Sequence, residues 1–179
     1  MTIGKALINQ GEFVSPFTIE FVTRSEIAEV IDFVMQARAE LFPKLSATGI
    51  PPDLANFEET YLNGAGRFLL ARHEGRIVAT IGYLPYDRRF EHLDYGQLEV
   101  VEVVRLFVLP EFRRSGLASE LYQTLRSSAE RAGVDVIYLH THPFLPGAIN
   151  FWLKRGFQVI SVDADPVWQT THMDFRIHD

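Results

Sequence analysis

The chain has 179 residues, 47% of them hydrophobic, and carries 17 basic against 23 acidic side chains for a formal charge of −6. That is the size of one domain around one core, and a net polyanion is a poor non-specific binder of nucleic acid, which needs clustered Lys and Arg. Cysteine is absent, which excludes disulfides, thiolate zinc sites and a cysteine nucleophile, and no apolar run reaches the roughly 20 residues of a membrane-spanning helix.

Residues 1–10 turn polar too soon for a secretory h-region, so a soluble, cytoplasmic protein without a membrane partner is expected. Residues 1–16 lack a strong period and read as an N-terminal arm ending at Pro16, with 17–179 as a single domain. Residues 17–22 alternate as a strand should. Thr23 and Glu26 then have capping-box spacing, and Ile27, Val30, Ile31, Val34 and Leu41 share one face of a helix that Pro43 closes. Gly49, Pro51 and Pro52 make 44–56 a loop, with a short helix expected at 57–62. Strands 67–72 and 76–83 flank a turn at Glu74-Gly75. A charged segment, 87–92, precedes a long valine-rich strand at 98–108, expected at the sheet centre and buried on both faces. A helix at 117–132, a strand at 136–141, a helix at 148–155 and strands near 158–162 and 171–177 complete the pattern. Without repeats or linkers, this is an α/β chain of the α+β kind, with one mixed sheet.

The most informative stretch runs from Val104 to Ala118, where a strand meets Pro110, then the basic loop Arg113-Arg114-Ser115-Gly116, then an amphipathic helix. The first-turn amides of a helix have no intrahelical partners and sit at the positive end of its dipole, so this junction can cradle an anion. Gly116 and Ala118 would admit a phosphate close to the backbone, while Arg113 and Arg114 supply charge. The plain alternative is a charged turn capping a helix. A P-loop is excluded by the missing Gly-Lys-Ser/Thr ending, and a dinucleotide fingerprint by the single glycine.

Arg113-x-x-Gly116-x-Ala118, preceded by Leu106-Phe107-Val108-x-Pro110, resembles the coenzyme A loop of the GNAT superfamily of N-acetyltransferases. The stretch from Ala148 to the Gly156-Phe157 step is similar to a second landmark of that family, and the element order from Phe17 onward matches it. The resemblance implies a central mixed, mostly antiparallel sheet of about seven strands flanked by about four helices. It further implies acetyl-CoA as co-substrate, with no metal. Leu106, Phe107 and Val108 would face the pantetheine arm, the last two pairing with it through their backbones. Arg113, Arg114, Ser115, Gly116, Leu117, Ala118 and Ser119 would hold the pyrophosphate. The thioester would lie where the central strand splays from strand 136–141.

Acyl transfer to an amine needs a neutral amine, so a base or a water relay must take its proton. Glu102 lies within Val100-Val101-Glu102-Val103-Val104, where apolar neighbours should desolvate it and raise its pKa. It stands six positions before Val108, which matches the base of the histone-acetylating branch of the superfamily. The alternatives are a strand glutamate held by Arg72, Arg105 or a tyrosine, or Glu99, on the other face of a regular strand. Where family members place an acidic tyrosine on the late helix, this sequence has Trp152, and Leu145 replaces a frequent asparagine. Tyr138 is a substitute acid or a buried structural tyrosine, and water is a further option.

His140-x-His142, with His73, lacks a third ligand at diagnostic spacing, so no metal is expected, and a serine hydrolase is disfavoured because no Gly-x-Ser-x-Gly occurs. Residues 45–56, 85–96 and 140–143 would wall the acceptor side. Their charges, with Lys44 beside them, are of both signs and leave a small-molecule or peptide amine open. Phe13, Phe17, Phe33 and Phe42 are core or dimer-contact candidates, so a homodimer is open as well. The reading is an N-acetyltransferase acting by direct attack in a ternary complex, because no cysteine can carry the acetyl group. The alternatives are a non-catalytic acyl-CoA sensor and a transferase of another acyl group.

Overall fold

A computed structural model describes residues 15–178. The expected arm therefore lies almost wholly outside the described residues, as does Phe13. The elements are β1 (Thr18–Phe21), α1 (Ile27–Leu41), α2 (Pro52–Ala55), β2 (Arg67–His73), β3 (Arg76–Pro85), β4 (Val100–Val108), α3 (Leu117–Arg131), β5 (Val136–Thr141), α4 (Ala148–Lys154), β6 (Gln158–Val162) and β7 (Thr171–Arg176). The strands form one seven-stranded sheet in the order β1-β2-β3-β4-β5-β7-β6. Only β4 and β5 run parallel; every other neighbouring pair is antiparallel. This is the mixed, mostly antiparallel sheet expected from the sequence.

The Glu26 carboxylate accepts from the Thr23 amide (3.0 Å) and hydroxyl (2.8 Å), closing a one-turn entry into α1. Arg72 on β2 clasps that entry from below, donating to both Glu26 and Glu29 at 2.9 Å. Glu74 and Gly75 both take positive φ (50° and 79°), the left-handed pair that a two-residue hairpin demands. The expected helix at 57–62 is resolved differently. Pro52, which has no N–H to leave unpaired, opens the short α2, and Glu58–Leu62 makes one wide π-helical turn. A 3₁₀ turn, Pro43–Thr48, occupies part of the stretch read as loop.

Two layers sandwich the sheet. On one face α3 and α4 bury Leu117, Leu121, Leu125 and Trp152 against Ile81, Val101, Val103, Ile137 and Leu139. On the other, α1, α2 and the π turn bury Val30, Val34, Leu54, Phe57 and Tyr61 against Phe68 and Leu70. Each such side chain contributes about 1.5–3 kcal/mol relative to exposure. Residues 86–98 have no regular structure but cover β4 and β5 on the α1 side, packing Tyr86 and Tyr95 on Val100, Val136 and Tyr138. β4 departs from expectation: it begins at Val100, and only its first four residues are buried, the last five being half-exposed.

Candidate functional site

A fork between β4 and β5 produces that half-exposed end. The two strands pair only over Val100–Glu102 and Val136–Tyr138, after which β4 follows β3 and β5 follows β7. The cause is a bulge. Thr80 stands opposite Phe107 and Gly82 opposite Val104, so Arg105 and Leu106 together oppose Ile81. Arg105 has φ +58°, a conformation that costs a non-glycine residue about 1–2 kcal/mol. Its surroundings fix it there. The Thr80 hydroxyl donates to the Arg105 carbonyl (2.9 Å). The guanidinium donates twice to Asp53 (2.7 and 3.2 Å), which also accepts from the Tyr61 hydroxyl (2.8 Å).

Beyond the bulge, the Leu109 amide donates to Val78 on β3 (2.9 Å). Ladder alternation then turns Phe107 toward Thr80 and the peptide groups of Leu106 and Val108 toward the fork. The Val108 carbonyl accepts from Arg113 Nε (3.1 Å). Arg114 and Gly116 both take positive φ (60° and 82°) and aim the chain into α3, whose first intrahelical bond is Glu120 N to Gly116 O. The amides of Leu117, Ala118 and Ser119 precede that bond and stand at the positive end of a 15-residue helix. A Cβ built at Gly116 would meet nothing within 4 Å, so the space in front of this turn is open. Ser115 is committed locally, its hydroxyl donating to the Phe112 carbonyl. The Leu117 side chain lies in the core, so only its amide, as a first-turn donor, is left for a ligand.

Glu102 is the last paired residue before the fork and is 5% exposed. Burial pushes its carboxyl above the ordinary range, and Arg89 pulls it partly back. Arg89 Nη2 lies 2.8 Å from Glu102 Oε1 and donates to Oε2 at 3.1 Å, while Nη1 binds Asp87 at 2.9 Å. The partner is thus Arg89 rather than Arg72 or Arg105, whose carboxylates are Glu26, Glu29 and Asp53. No spacing rule links Arg89 to Glu102, because it arrives on the irregular 86–98 segment. Glu99 lies outside β4 and exposed, its amide bound to Asp135 (2.8 Å).

Tyr138 stands beside Glu102 in register and on the same face. It is fully buried, and its hydroxyl meets His172 Nδ1 at 2.7 Å. Burial first, then the neighbouring Glu102 charge, holds its pKa well above the usual phenol range. His140 follows on this face. Burial pulls its pKa down to about 4, and its Nδ1 has no hydrogen-bond partner among the described residues. His142, at the strand's end, stacks on Phe144 (5.1 Å) and touches Phe42 and Trp168. These rings border a cavity of about 220 Å³ lined by Leu41, Phe42, Pro43, Lys44, Phe144, Val167 and Trp168. Phe144, Val167 and Trp168 are not singled out by the sequence. His73 does not join the other histidines; it packs on Phe17 and Phe112. Trp152 lies in the α3–α4 core against Tyr122, Phe151 and Phe157. The metal-type ligands that do converge are His92, Asp163 and His172, from three separate segments.

Residues 31–157 match the family model described as the Acetyltransferase (GNAT) family. Among curated proteins, the chain is 28% identical over 152 residues to mouse probable N-acetyltransferase family 8 member 5, covering 82% of this chain and 65% of that one. It spans about half to two thirds of the length of the first curated relatives it matches. Among solved structures, a GNAT-family acetyltransferase from Staphylococcus aureus Mu50 superposes with TM-score 0.72 at 25% identity, covering 89% of this chain and 98% of that one. YncA from Salmonella typhimurium, solved with its cofactor acetyl-CoA, gives TM-score 0.69 at 20% identity, covering 92% and 96%.

Proposed function

Because this chain belongs to the GNAT acetyltransferase family, we propose that it moves an acetyl group from acetyl-CoA to a primary amine by direct attack in a ternary complex. The observation that carries the reading is the adjacency of the forked strands, the buried Glu102 at their branch point and the α3 N-terminus at their open end. The amides of Leu117, Ala118 and Ser119, with the exposed Arg114, suit a diphosphate. The outward peptide groups of Leu106 and Val108 suit the amides of a pantetheine arm. Arg113 holds the loop to the strand through the Val108 carbonyl.

Glu102 receives the amine's proton in this reading. A buried carboxylate above its ordinary pKa is a stronger base than an exposed one, and its resting partner is a cation. An incoming ammonium competes with Arg89 for the same oxygens, so binding brings the acceptor's N–H to the base. Position 152 holds a tryptophan and Tyr138 is held by His172, so a water relays the nitrogen's second proton, released after attack, to the leaving thiolate.

The acceptor side of the fork is apolar at its mouth. Its carboxylates are paired in part: Asp53 with Arg105, and Asp87 and Glu102 sharing Arg89, while Lys44 lines the cavity. Arg88 is turned onto the carbonyls of Gly96 and Leu98. The cavity between Phe42, Phe144 and Trp168 therefore fits an amine bearing an aromatic or aliphatic group. The test is free-thiol release from acetyl-CoA against an amine panel, repeated with longer acyl-CoAs. Turnover with acetyl-CoA, and lower KM for phenyl- or alkyl-bearing amines than for polyamines, is expected. Binding without turnover would show a sensor, and faster release from longer thioesters another acyltransferase.

A further inference from the structure

Past Phe90, whose ring lies 4.7 Å from His172, is a second cluster. His92 belongs to the 86–98 segment, Asp163 follows β6, and His172 sits in β7. Their ligand atoms all lie within 4.8 Å of one another. We propose that His92, Asp163 and His172 bind one divalent cation of the zinc class, fastening segment 86–98 to the β6–β7 hairpin.

The ligand geometry is nearly in place. His172 Nε2 and Asp163 Oδ1 are 3.0 Å apart, and two ligands at about 2.0–2.1 Å from a tetrahedral zinc stand only a few tenths of an ångström farther. His172 is completely buried and oriented from behind, its Nδ1 2.7 Å from the Tyr138 hydroxyl. That oxygen can accept the Nδ1 proton once Nε2 binds metal, the outer-shell contact that fixes a metal-binding imidazole. His92 is exposed and Asp163 is 38% exposed at its side chain, so the cluster has an entry path from solvent. The His92 ring already packs edge-on to His172 (5.0 Å), and its Nε2 lies 3.0 Å from Ser161 Oγ, a solvent-exposed hydrogen bond that it can give up. Two imidazoles and one carboxylate favour zinc over calcium or magnesium, which require mostly oxygen ligands, and leave a fourth position for water. The ligands come from segments 71 and 9 positions apart in sequence, which is why no spacing motif announces them.

The experiment titrates untagged protein with zinc chloride alone by calorimetry, and with cobalt(II) by visible absorption. One equivalent of either ion is expected, with the d–d bands of a low-coordinate nitrogen–oxygen site and a raised melting temperature in zinc. His92→Ala and Asp163→Ala, at exposed or half-exposed positions, should each weaken binding at least about tenfold, since losing a direct ligand costs more than losing an outer-shell contact, worth about 10–100-fold. His73→Ala should leave it unchanged. Absence of stoichiometric binding, or wild-type affinity in both ligand variants, would overturn the site.

Discussion

Glu102 and Arg89 show how two side chains divide between legible and hidden. A carboxylate inside a valine run stands out in the sequence because burial without a role is costly. Arg89 does not stand out, since it sits among charges on a segment without periodicity and meets Glu102 only through the fold. Trp152 shows the opposite limit: its place in the family motif is readable, yet only packing reveals that its ring faces the core. Glu102→Gln should lower kcat by about 10²–10⁴-fold, the range for losing a general base, with acetyl-CoA affinity unchanged by calorimetry. Unaltered turnover across pH would remove the base role. Arg89→Ala removes the cation that draws the Glu102 pKa down, so the acid limb of the kcat/KM profile should move to higher pH. A limb that stays in place would detach Arg89 from the base.

Among the elements, β4 is the one on which sequence and structure part most usefully. Its hydrophobic run is plain, but the bulge is not, because Arg105 carries no glycine-like signal for its positive φ; the reason lies in Asp53 and Tyr61, over forty positions earlier. Asp53→Ala leaves the Arg105 guanidinium and Tyr61 hydroxyl without their acceptor. It should destabilise the protein by about 1–3 kcal/mol in denaturant titration, with weakened acetyl-CoA binding as the bulge relaxes. Unchanged affinity would separate the bulge from the cofactor site. At the α1 entry, Arg72 holds the Glu26 carboxyl down to about 2, against an ordinary 4.5. A carboxyl lowered by folding adds stability above its unfolded pKa, and that increment fades as pH falls from about 4.5 toward 2. Arg72→Ala should therefore lower the melting temperature by about 2–4 °C near neutrality, about 1 kcal/mol for a chain this size, with the gap closing through that acid window. A gap constant with pH would contradict the assignment.

For the molecule as a whole, the sheet and its helices were readable because hydrophobic period, turn glycines and element order agree with one another. The cavity bordered by Phe42, Phe144 and Trp168 was not, since these residues come from three loops and carry no shared spacing. The same holds for the cluster of His92, Asp163 and His172, which meets only where segment 86–98 packs on the β6–β7 hairpin. Among the described residues no helix is long and apolar enough to cross a membrane. The fork at Glu102 and the amide-lined start of α3 are what the whole molecule is arranged to present. Calorimetric titration of acetyl-CoA into the wild-type protein and into Gly116→Glu tests this most directly, with circular dichroism to show that both are folded. Saturable one-to-one binding that the variant loses, through bulk and negative charge placed before the α3 amides, is the predicted result. A wild-type protein that does not bind, or a folded variant that binds equally well, would contradict it.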